Sequence, residues 1–132
     1  MANESKHLSI AIGRPAAAVY EYASDSTNLP NWAAGLAGTS VERVDGQRIA
    51  DSPMGRVVVT FAERNDFGVL DHTVTLPTGQ SVYNPLRVIP DGDASCEVVF
   101  TLRRRPEMSA DDFARDADAV SADLATLKRV LE

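Results

Sequence analysis

The end of the sequence, MSADDFARDADAVSADLATLKRVLE at residues 108–132, constrains the fold more than any other segment. Its apolar residues recur at spacings of three and four, which places them along one stripe of an amphipathic helix: Phe113, Ala117, Val120, Leu124, Leu127 and Leu131. Ser109 is a favourable N-cap, and Asp112 is a weaker substitute for the Glu or Gln of a capping box. A helix of about 23 residues extends roughly 34 Å. We therefore expect it to cover the apolar face of a sheet built by the preceding residues.

Short strands separated by turns account for most of the preceding sequence. Residues 7–13, HLSIAIG, alternate between apolar and polar, which is typical of a half-buried strand. Turn signals such as Asp45-Gly46 separate six further strands: TSVERV, QRIADS, RVVVTFAER, VLDHTVTL, SVYNPLRVI and SCEVVFTLRR. Pro85 lies inside the fifth of these and indicates a bulge or an edge. Because the turns are short, we expect an antiparallel meander.

Residues 14–32, between the first strand and the meander, predict two short helices. Pro15 suits the first turn of a helix, where its missing N–H would have no partner. Ser24 and Asp25 end that helix and are suited to cap the next turn. A strand, two short helices, six strands and a long helix predict a single α+β domain that spans residues 1–132.

Composition argues against several classes of function. The net charge of −6 disfavours a nucleic-acid surface, which needs Lys and Arg contacts to phosphates. No apolar run approaches the roughly 20 residues that span a bilayer, and the N-terminus lacks a signal-peptide profile, so we expect a cytoplasmic protein without stable membrane insertion. Cys96 is the only cysteine, which excludes an intrachain disulfide. His7 and His72 form no ligand-spaced set with Cys96, and phosphate-binding glycine loops are absent, so we expect no metal and no cofactor.

Three segments carry a resemblance to a known superfamily and together cover nearly the whole chain: IAIGRPAAAVYEYASDSTNLPNW, GVLDHTVTLPTGQSVYNPLRVIPDGDASCEVVFTL and MSADDFARDADAVSADLATLKRVLE. The sequence resembles the helix-grip fold of the START-like, or SRPBCC, superfamily, which includes polyketide cyclases, aromatases, Bet v 1-like proteins and lipid-transfer domains. The resemblance implies a curved antiparallel sheet of about seven strands wrapped around the C-terminal helix, with two short helices after the first strand. It also implies a hydrophobic cavity between sheet and helix.

Two residues are the principal polar candidates for such a cavity. The resemblance would place Trp32 at the joint between the short helices and the second strand, where it either forms a wall of the pocket or plugs the end of the sheet. His72 shares a face with the apolar residues Leu70, Val74 and Leu76, so we expect it to point inward. An inward histidine either binds a ligand oxygen, acts as a general acid or base, or is a satisfied core residue. His72 is the only catalytic candidate.

The remaining candidates depend on register and on the resemblance. Asn84 shares its face with Val82, Leu86 and Val88, but the opposite face is almost as apolar and Pro85 can shift the register, so the sequence leaves the inner face open. The apolar residues that the resemblance implies as pocket lining include six ligand-binding candidates: Met54, Phe61, Phe100, Phe113, Ala117 and Val120. Each of these also fits ordinary core packing.

Three functions remain compatible with the sequence. The first is binding of a small hydrophobic or aromatic molecule, such as a lipid or a polyketide-like compound, in the internal cavity. The second is a polyketide cyclase or aromatase that folds its substrate in the same cavity, with His72 moving a proton. The third is a protein-interaction module without a small ligand. A homodimer through the sheet face or an edge strand also remains open.

Overall fold

The computed structural model describes residues 4–33, 41–44, 47–52 and 55–132. Its elements form an α+β chain in the predicted order. They are β1 (Ser5–Ile12), α1 (Ala16–Ser24), a 3-10 turn (Ser26–Asn28), α2 (Leu29–Trp32), β2 (Val41–Val44), β3 (Gln47–Ser52), β4 (Gly55–Phe61), β5 (His72–Thr75), β6 (Ser81–Asn84), β7 (Leu86–Asp91), β8 (Ser95–Arg103) and α3 (Ala110–Leu131).

The strands pair antiparallel in two groups, in the orders β1-β8-β7 and β2-β3-β4-β5-β6. Residues 68–71 join the groups, because they run alongside β7 before β5 begins. The Leu70 N–H donates to the Leu86 carbonyl at 2.8 Å, and the Val88 N–H donates to the Gly68 carbonyl at 2.8 Å. A β-bridge between Val69 and Arg87 lies between these two bonds. The backbone hydrogen bonding therefore continues from one group of strands to the other.

Pro85 explains why eight strands form where about seven were predicted. Proline has no N–H to donate, so the predicted strand over residues 81–89 divides into β6, which pairs with β5, and β7, which pairs with β8. The Pro85 carbonyl accepts from the Thr101 N–H at 3.0 Å. Burial also identifies the inner face that the sequence left open, because Tyr83 is 55% exposed whereas Asn84 is half-buried.

The caps of the long helix form as predicted. The Ser109 hydroxyl accepts from the Asp112 N–H at 3.0 Å, and the Asp112 carboxylate accepts from the Ser109 N–H at 3.3 Å. At the other end, the Lys128 ammonium donates to the Ala11 carbonyl at 2.8 Å, and the Gly13 N–H donates to the Glu132 carboxylate at 2.8 Å. These bonds hold the last turns of α3 against the end of β1.

Buried apolar residues form two clusters beneath α3. The larger cluster joins α1, α2, β1, β7 and β8 to Leu124 and Leu127 in the C-terminal half of α3. The smaller cluster lies under the N-terminal half of α3 and contains Leu102, Met108, Phe113 and Ala117. Complete burial of a large apolar side chain contributes about 1.5 to 3 kcal/mol. The apolar stripe predicted for α3 is therefore its packing face.

Candidate functional site

Three predicted site residues form one row across neighbouring strands. Phe61 at the end of β4 lies opposite His72 at the start of β5, and His72 lies opposite Asn84 at the end of β6. Directly opposite residues of antiparallel strands project from the same face of the sheet. The rings of Phe61 and His72 have centroids 5.2 Å apart and are tilted by 39°. The register of β4, β5 and β6 thus brings these side chains together.

Phe100 on β8 completes a group that we call the His72 cluster: Phe61, His72, Asn84 and Phe100. The Phe100 ring meets the His72 ring edge-on, with centroids 6.3 Å apart. All four side chains are only half-buried although they lie on the inner face of the sheet. Val59 on the same face is buried, with 5% of its surface exposed. The His72 cluster therefore leaves accessible apolar surface at a position where the core could have been filled.

Within the described part of the chain, one ring nitrogen of His72 is hydrogen-bonded and the other is not. The Nδ1 atom lies 3.0 Å from the Leu70 carbonyl oxygen. Because a carbonyl only accepts, Nδ1 must carry the proton in this bond. Burial lowers the pKa of His72 below its usual value, although the bond to Leu70 and the charge of Asp71 oppose this effect. The lowered pKa favours the neutral imidazole, in which Nε2 is an acceptor that no group in the described part of the chain occupies.

Trp32 is the last residue of α2, and only 8% of its surface is exposed. It belongs to the larger core cluster, against which Phe61, Phe100 and Val120 also pack. Its indole Nε1–H is buried and has no acceptor among the described residues. A buried donor without a partner is uncommon in native proteins, because it forgoes the hydrogen bond it made to water. Trp32 therefore packs as a core residue and also retains an unused polar group.

The other predicted lining residues divide between the clusters. Val120 is half-buried and packs on the larger cluster, whereas Phe113 and Ala117 are buried in the smaller one. Phe100 contacts both clusters and so links these helix residues to the His72 cluster. The Lys6 ammonium lies 5.2 Å from the centroid of the Phe113 ring. Met54 lies outside the described residues.

Asp71 is the residue that sequence reasoning missed. Its carboxylate is buried at the kink beside Pro85 and accepts four hydrogen bonds. The Leu86 N–H donates at 2.9 Å, the Tyr83 hydroxyl at 2.6 Å, and the Arg87 guanidinium twice, at 2.9 and 2.8 Å. Because Asp71 alternates with Leu70 and His72, it belongs to the opposite face of the strand, and no sequence pattern marks its carboxylate as buried.

Asp71 holds the edge of the His72 cluster in place. The Arg87 hydrogen bonds, aided by those from Tyr83 and Leu86, hold the pKa of Asp71 well below its usual range. The same carboxylate raises the pKa of Tyr83 through their hydrogen bond. Because Asp71 is bonded to groups on both sides of Pro85, it links the end of β6 to the start of β7. Asn84 lies at this junction.

Arg48 is a second charged residue that sequence reasoning missed. It lies on the inner, concave face of the sheet. Arg48 on β3 lies opposite Val59, so it shares the inner face of the sheet, and it is half-buried. Its charge contributes to lowering the pKa of Asp25, although hydrogen bonds from Thr27 are the larger cause. The concave face therefore carries a cation in addition to His72 and Asn84.

Three further features bear on function: clusters of metal-ligating side chains, the single cysteine and the apolar character of the helices. Nowhere in the described ranges do three His, Cys, Asp or Glu side chains converge as metal ligands would. Cys96 is buried, and burial raises the pKa of its thiol, which disfavours the reactive thiolate. None of the helices in the described part of the chain is both long and apolar enough to cross a membrane.

The family follows from comparison of the whole chain with known proteins. Residues 6–132 match the family model described as polyketide cyclase/dehydrase and lipid transport. The chain belongs to this family. The match covers every element from β1 to α3, so the helix-grip fold and the superfamily that the sequence resembled are confirmed. A search of curated protein sequences finds no significant match.

Solved structures share the fold of this polyketide cyclase/dehydrase and lipid transport family member at low identity. XoxI from Bacillus cereus is 16% identical with a TM-score of 0.72, over 98% of this chain and 95% of that one. The ZhuI aromatase/cyclase from Streptomyces sp. R1128 is 14% identical with a TM-score of 0.63, over 98% and 96%. Truncated norcoclaurine synthase from Thalictrum flavum is 15% identical with a TM-score of 0.62, over 99% and 96%. Such identities establish the fold, whereas function depends on the side chains of the site.

Proposed function

We propose that this chain binds a small hydrophobic or aromatic molecule between the concave face of its sheet and α3. The observation that carries the proposal is the His72 cluster, where two half-buried aromatic rings flank an imidazole whose neutral form is favoured and whose Nε2 no described group occupies. Sites for small ligands are mostly apolar, with a few polar groups that fix orientation. The family description, which names lipid transport and polyketide cyclases, supports a ligand of this class.

The proposal assigns a contact of the bound molecule to each of the site residues. A planar ring stacks or packs edge-on against Phe61 and Phe100, as aromatic pairs prefer. A ligand hydroxyl donates to Nε2 of His72, and a ligand carbonyl or hydroxyl bonds to the Asn84 amide. The Trp32 indole N–H offers a donor to a ligand oxygen, and the remaining apolar lining comes from Phe113, Ala117 and Val120 of α3.

The second candidate is a cyclase or aromatase that uses the same cavity. The neutral state of His72 favours it, because an imidazole held by Leu70 can accept a proton from a carbon next to a carbonyl. The resulting enolate would attack a second carbonyl of the same folded chain, and the proton on His72 would pass to the new alkoxide. The protein would otherwise contribute by holding the chain in a reactive fold. The ZhuI aromatase/cyclase has this fold, which supports the candidate.

Calorimetric titration with naphthol tests the binding proposal, with methoxynaphthalene as the matched ligand that cannot donate a hydrogen bond. We expect naphthol to bind more tightly, by about three- to tenfold, because one neutral hydrogen bond contributes about 0.5 to 1.5 kcal/mol. His72→Leu should reduce this preference, because leucine has no acceptor. His7→Leu is the control, because His7 is exposed and bonds to Thr101 on the rim of the sheet. Equal binding of both ligands by all three proteins would contradict the assignment of His72.

Native mass spectrometry of gently purified protein then separates the three functions. A retained molecule of a few hundred daltons supports the cavity, and its extraction reveals the chemical class. Single-turnover assays with that class distinguish a binder from an enzyme, since loss of a general base lowers turnover by about a hundredfold or more. A mass without adduct, together with no binding of naphthol, would favour the protein-interaction module.

A further inference from the structure

Residues 63–69 form a loop that holds Phe67 in solvent, away from the His72 cluster. Phe67 is 83% exposed, more than the other large apolar residues noted on the described surface, Tyr83, Ile89 and Val130. An exposed phenylalanine loses the benefit of burial, about 1.5 to 3 kcal/mol. Association that buries Phe67 would therefore recover part of this free energy.

The Asn65 side chain builds this loop. Its Oδ1 accepts from the N–H groups of Phe67 and Val69, each at 3.0 Å, and its Nδ2 donates to the carbonyls of Glu63 and Val69, each at 2.9 Å. The Asn65 N–H in turn donates to the Tyr20 hydroxyl at 3.0 Å. Because these hydrogen bonds already order the loop, association costs it little further conformational entropy. This favours binding through the loop tip, where Phe67 lies.

A cleft of about 460 Å³ lies directly beside Phe67, between α1 and the loop. Its lining combines the apolar residues Ala16, Ala17, Tyr20 and Val88 with polar residues of the loop, Asn65 and Asp66 among them, and Phe67 stands at its edge. Glu21 and Arg64 form an ion pair on the rim, and the Arg64 guanidinium lies 5.5 Å from the centroid of the Tyr20 ring. One face of the chain thus carries an apolar projection and a partly apolar recess side by side.

We propose that this face is a homodimer interface, in which Phe67 of each copy occupies the cleft of the other. A two-fold interface is isologous, so its patch must complement itself. An adjacent projection and recess meet this requirement, whereas a different partner would need only one of them. The rim supports the same occupant, because Arg64 and Glu21 carry opposite charges and can exchange partners across the two-fold axis. This interface differs from the sheet face and the edge strand considered from the sequence.

Charge sets the conditions under which the dimer forms. Each copy carries a net charge of −6, so two copies repel at low ionic strength. At 0.1 M salt, charges that lie more than about 10 Å apart are largely screened from each other, so this repulsion weakens. The apolar contact of Phe67 is not screened. Self-association should therefore strengthen as salt rises, and the acidic chain should show no affinity for anionic vesicles.

Sedimentation equilibrium across a wide concentration range tests the proposal. We expect a monomer–dimer equilibrium with a Kd in the micromolar range for the wild-type chain. Phe67→Ser removes the projection and Ala17→Arg fills the recess, and each should raise the Kd at least about tenfold, as loss of a central interface residue does. The matched controls are Val130→Ser and Ala119→Arg, both at exposed positions of α3, which should leave the Kd unchanged.

Sedimentation of a mixture of the Phe67→Ser and Ala17→Arg variants tests most directly whether Phe67 of one copy occupies the cleft of the other. The Ala17→Arg chain keeps Phe67, and the Phe67→Ser chain keeps the cleft, so one of the two contacts can form between them. The mixture should associate more strongly than either variant alone. A wild-type chain that stays monomeric at all concentrations and salts, a dimer that both variants leave unchanged, or a Phe67-dependent affinity for vesicles instead of a dimer would each overturn the proposal.

Discussion

The Asp71 carboxylate accepts a hydrogen bond from the Leu86 backbone N–H at 2.9 Å, immediately beside the proline that divides the strand. In an uninterrupted strand, this N–H would donate to a backbone carbonyl of the adjacent strand. The kink at Pro85 replaces that carbonyl with a side chain, and Tyr83 and Arg87 then bind the same carboxylate from both sides of the kink. Asp71 thus performs a structural role that the backbone performs elsewhere in the sheet.

Replacement of Asp71 by alanine should destabilise the fold. It leaves the buried Leu86 N–H without an acceptor, which costs about 1 to 3 kcal/mol. Arg87 adds little to this loss, because its side chain is 49% exposed and can turn to water. Urea denaturation checks the change, with Asp93→Ala in the exposed β7–β8 turn as the control. Equal midpoints for the two variants would contradict the role assigned to Asp71.

Acid should weaken the wild-type fold more steeply than the Asp71→Ala variant. The pKa of Asp71 is lowered in the folded chain, chiefly by its hydrogen bonds to Arg87, whereas an unfolded aspartate has a pKa near its usual value of about 3.9. The unfolded chain therefore binds the proton first, and this contribution to stability is lost progressively as the pH falls below about 4. Denaturation at a series of pH values measures the slope, and identical slopes for the two proteins would exclude the contribution.

His72 should titrate below the usual histidine pKa of about 6.5, because burial disfavours its charged form. The unfolded chain then binds the proton first, so the contribution of His72 to stability is complete above about 6.5 and declines as the pH falls from there through the folded pKa. Affinity for naphthol should decline with protonation, since imidazolium has no free acceptor. Long-range proton–nitrogen NMR should show the proton on Nδ1 at neutral pH. A proton on Nε2 would contradict the assigned tautomer, and a pKa above 6.5 would contradict the effect assigned to burial.

The Trp32→Phe variant should distinguish the contribution of Trp32 to core packing from a hydrogen bond between its indole N–H and a ligand. The indole N–H has no partner in the described part of the chain, so its removal costs only the lost volume, about 1 to 2 kcal/mol. If the N–H serves a ligand oxygen, naphthol affinity should fall by about three- to tenfold. Trp32 is the only tryptophan, so one indole N–H resonance reports on it directly. This resonance should move when naphthol binds the wild-type chain, and an unchanged resonance would remove Trp32 from the site.

Two glycines with the same backbone angle give a matched test of the loop that carries Phe67. Gly68 has φ of +72° and Gly92 has φ of +73°, so alanine is strained at both, by roughly 1 to 2 kcal/mol. A Cβ on Gly68 would lie 2.1 Å from the Val88 carbonyl oxygen, whereas one on Gly92 would meet nothing within 4 Å. Gly68→Ala should therefore lower the Tm well beyond Gly92→Ala. Equal decreases in Tm for the two variants would show that the backbones at residues 68 and 88 can move apart without loss of stability.

The sequence predicted the elements of this fold because each leaves a local pattern. The apolar stripe and the Ser109 cap predicted α3, and Pro85 predicted a bulge or an edge. The division at Pro85 into strands with different partners was not predictable, because partner choice depends on how the sheet bends. The same bend brings residues 68–71 beside β7, which is a contact between distant segments.

The site was predictable only in part, for a related reason. Alternation placed His72 on the inner face, and the register then set it between Phe61 and Asn84. The hydrogen bonds that fix the state of a side chain have no sequence pattern. The bond from His72 to the Leu70 carbonyl and the four bonds to Asp71 are of this kind. Arg48 was missed because a charged residue in a strand is ordinarily assigned to solvent.

The most direct test of the account is the location of a bound aromatic molecule. Isotope-labelled protein titrated with naphthol should show its largest NMR shift changes at Phe61, His72, Asn84 and Phe100. Smaller changes should follow at Val120 of α3, and residues 63–69 should be unaffected at low protein concentration. Shift changes confined to the cleft beside Phe67, or no saturable change at the His72 cluster, would contradict a ligand site on the concave face.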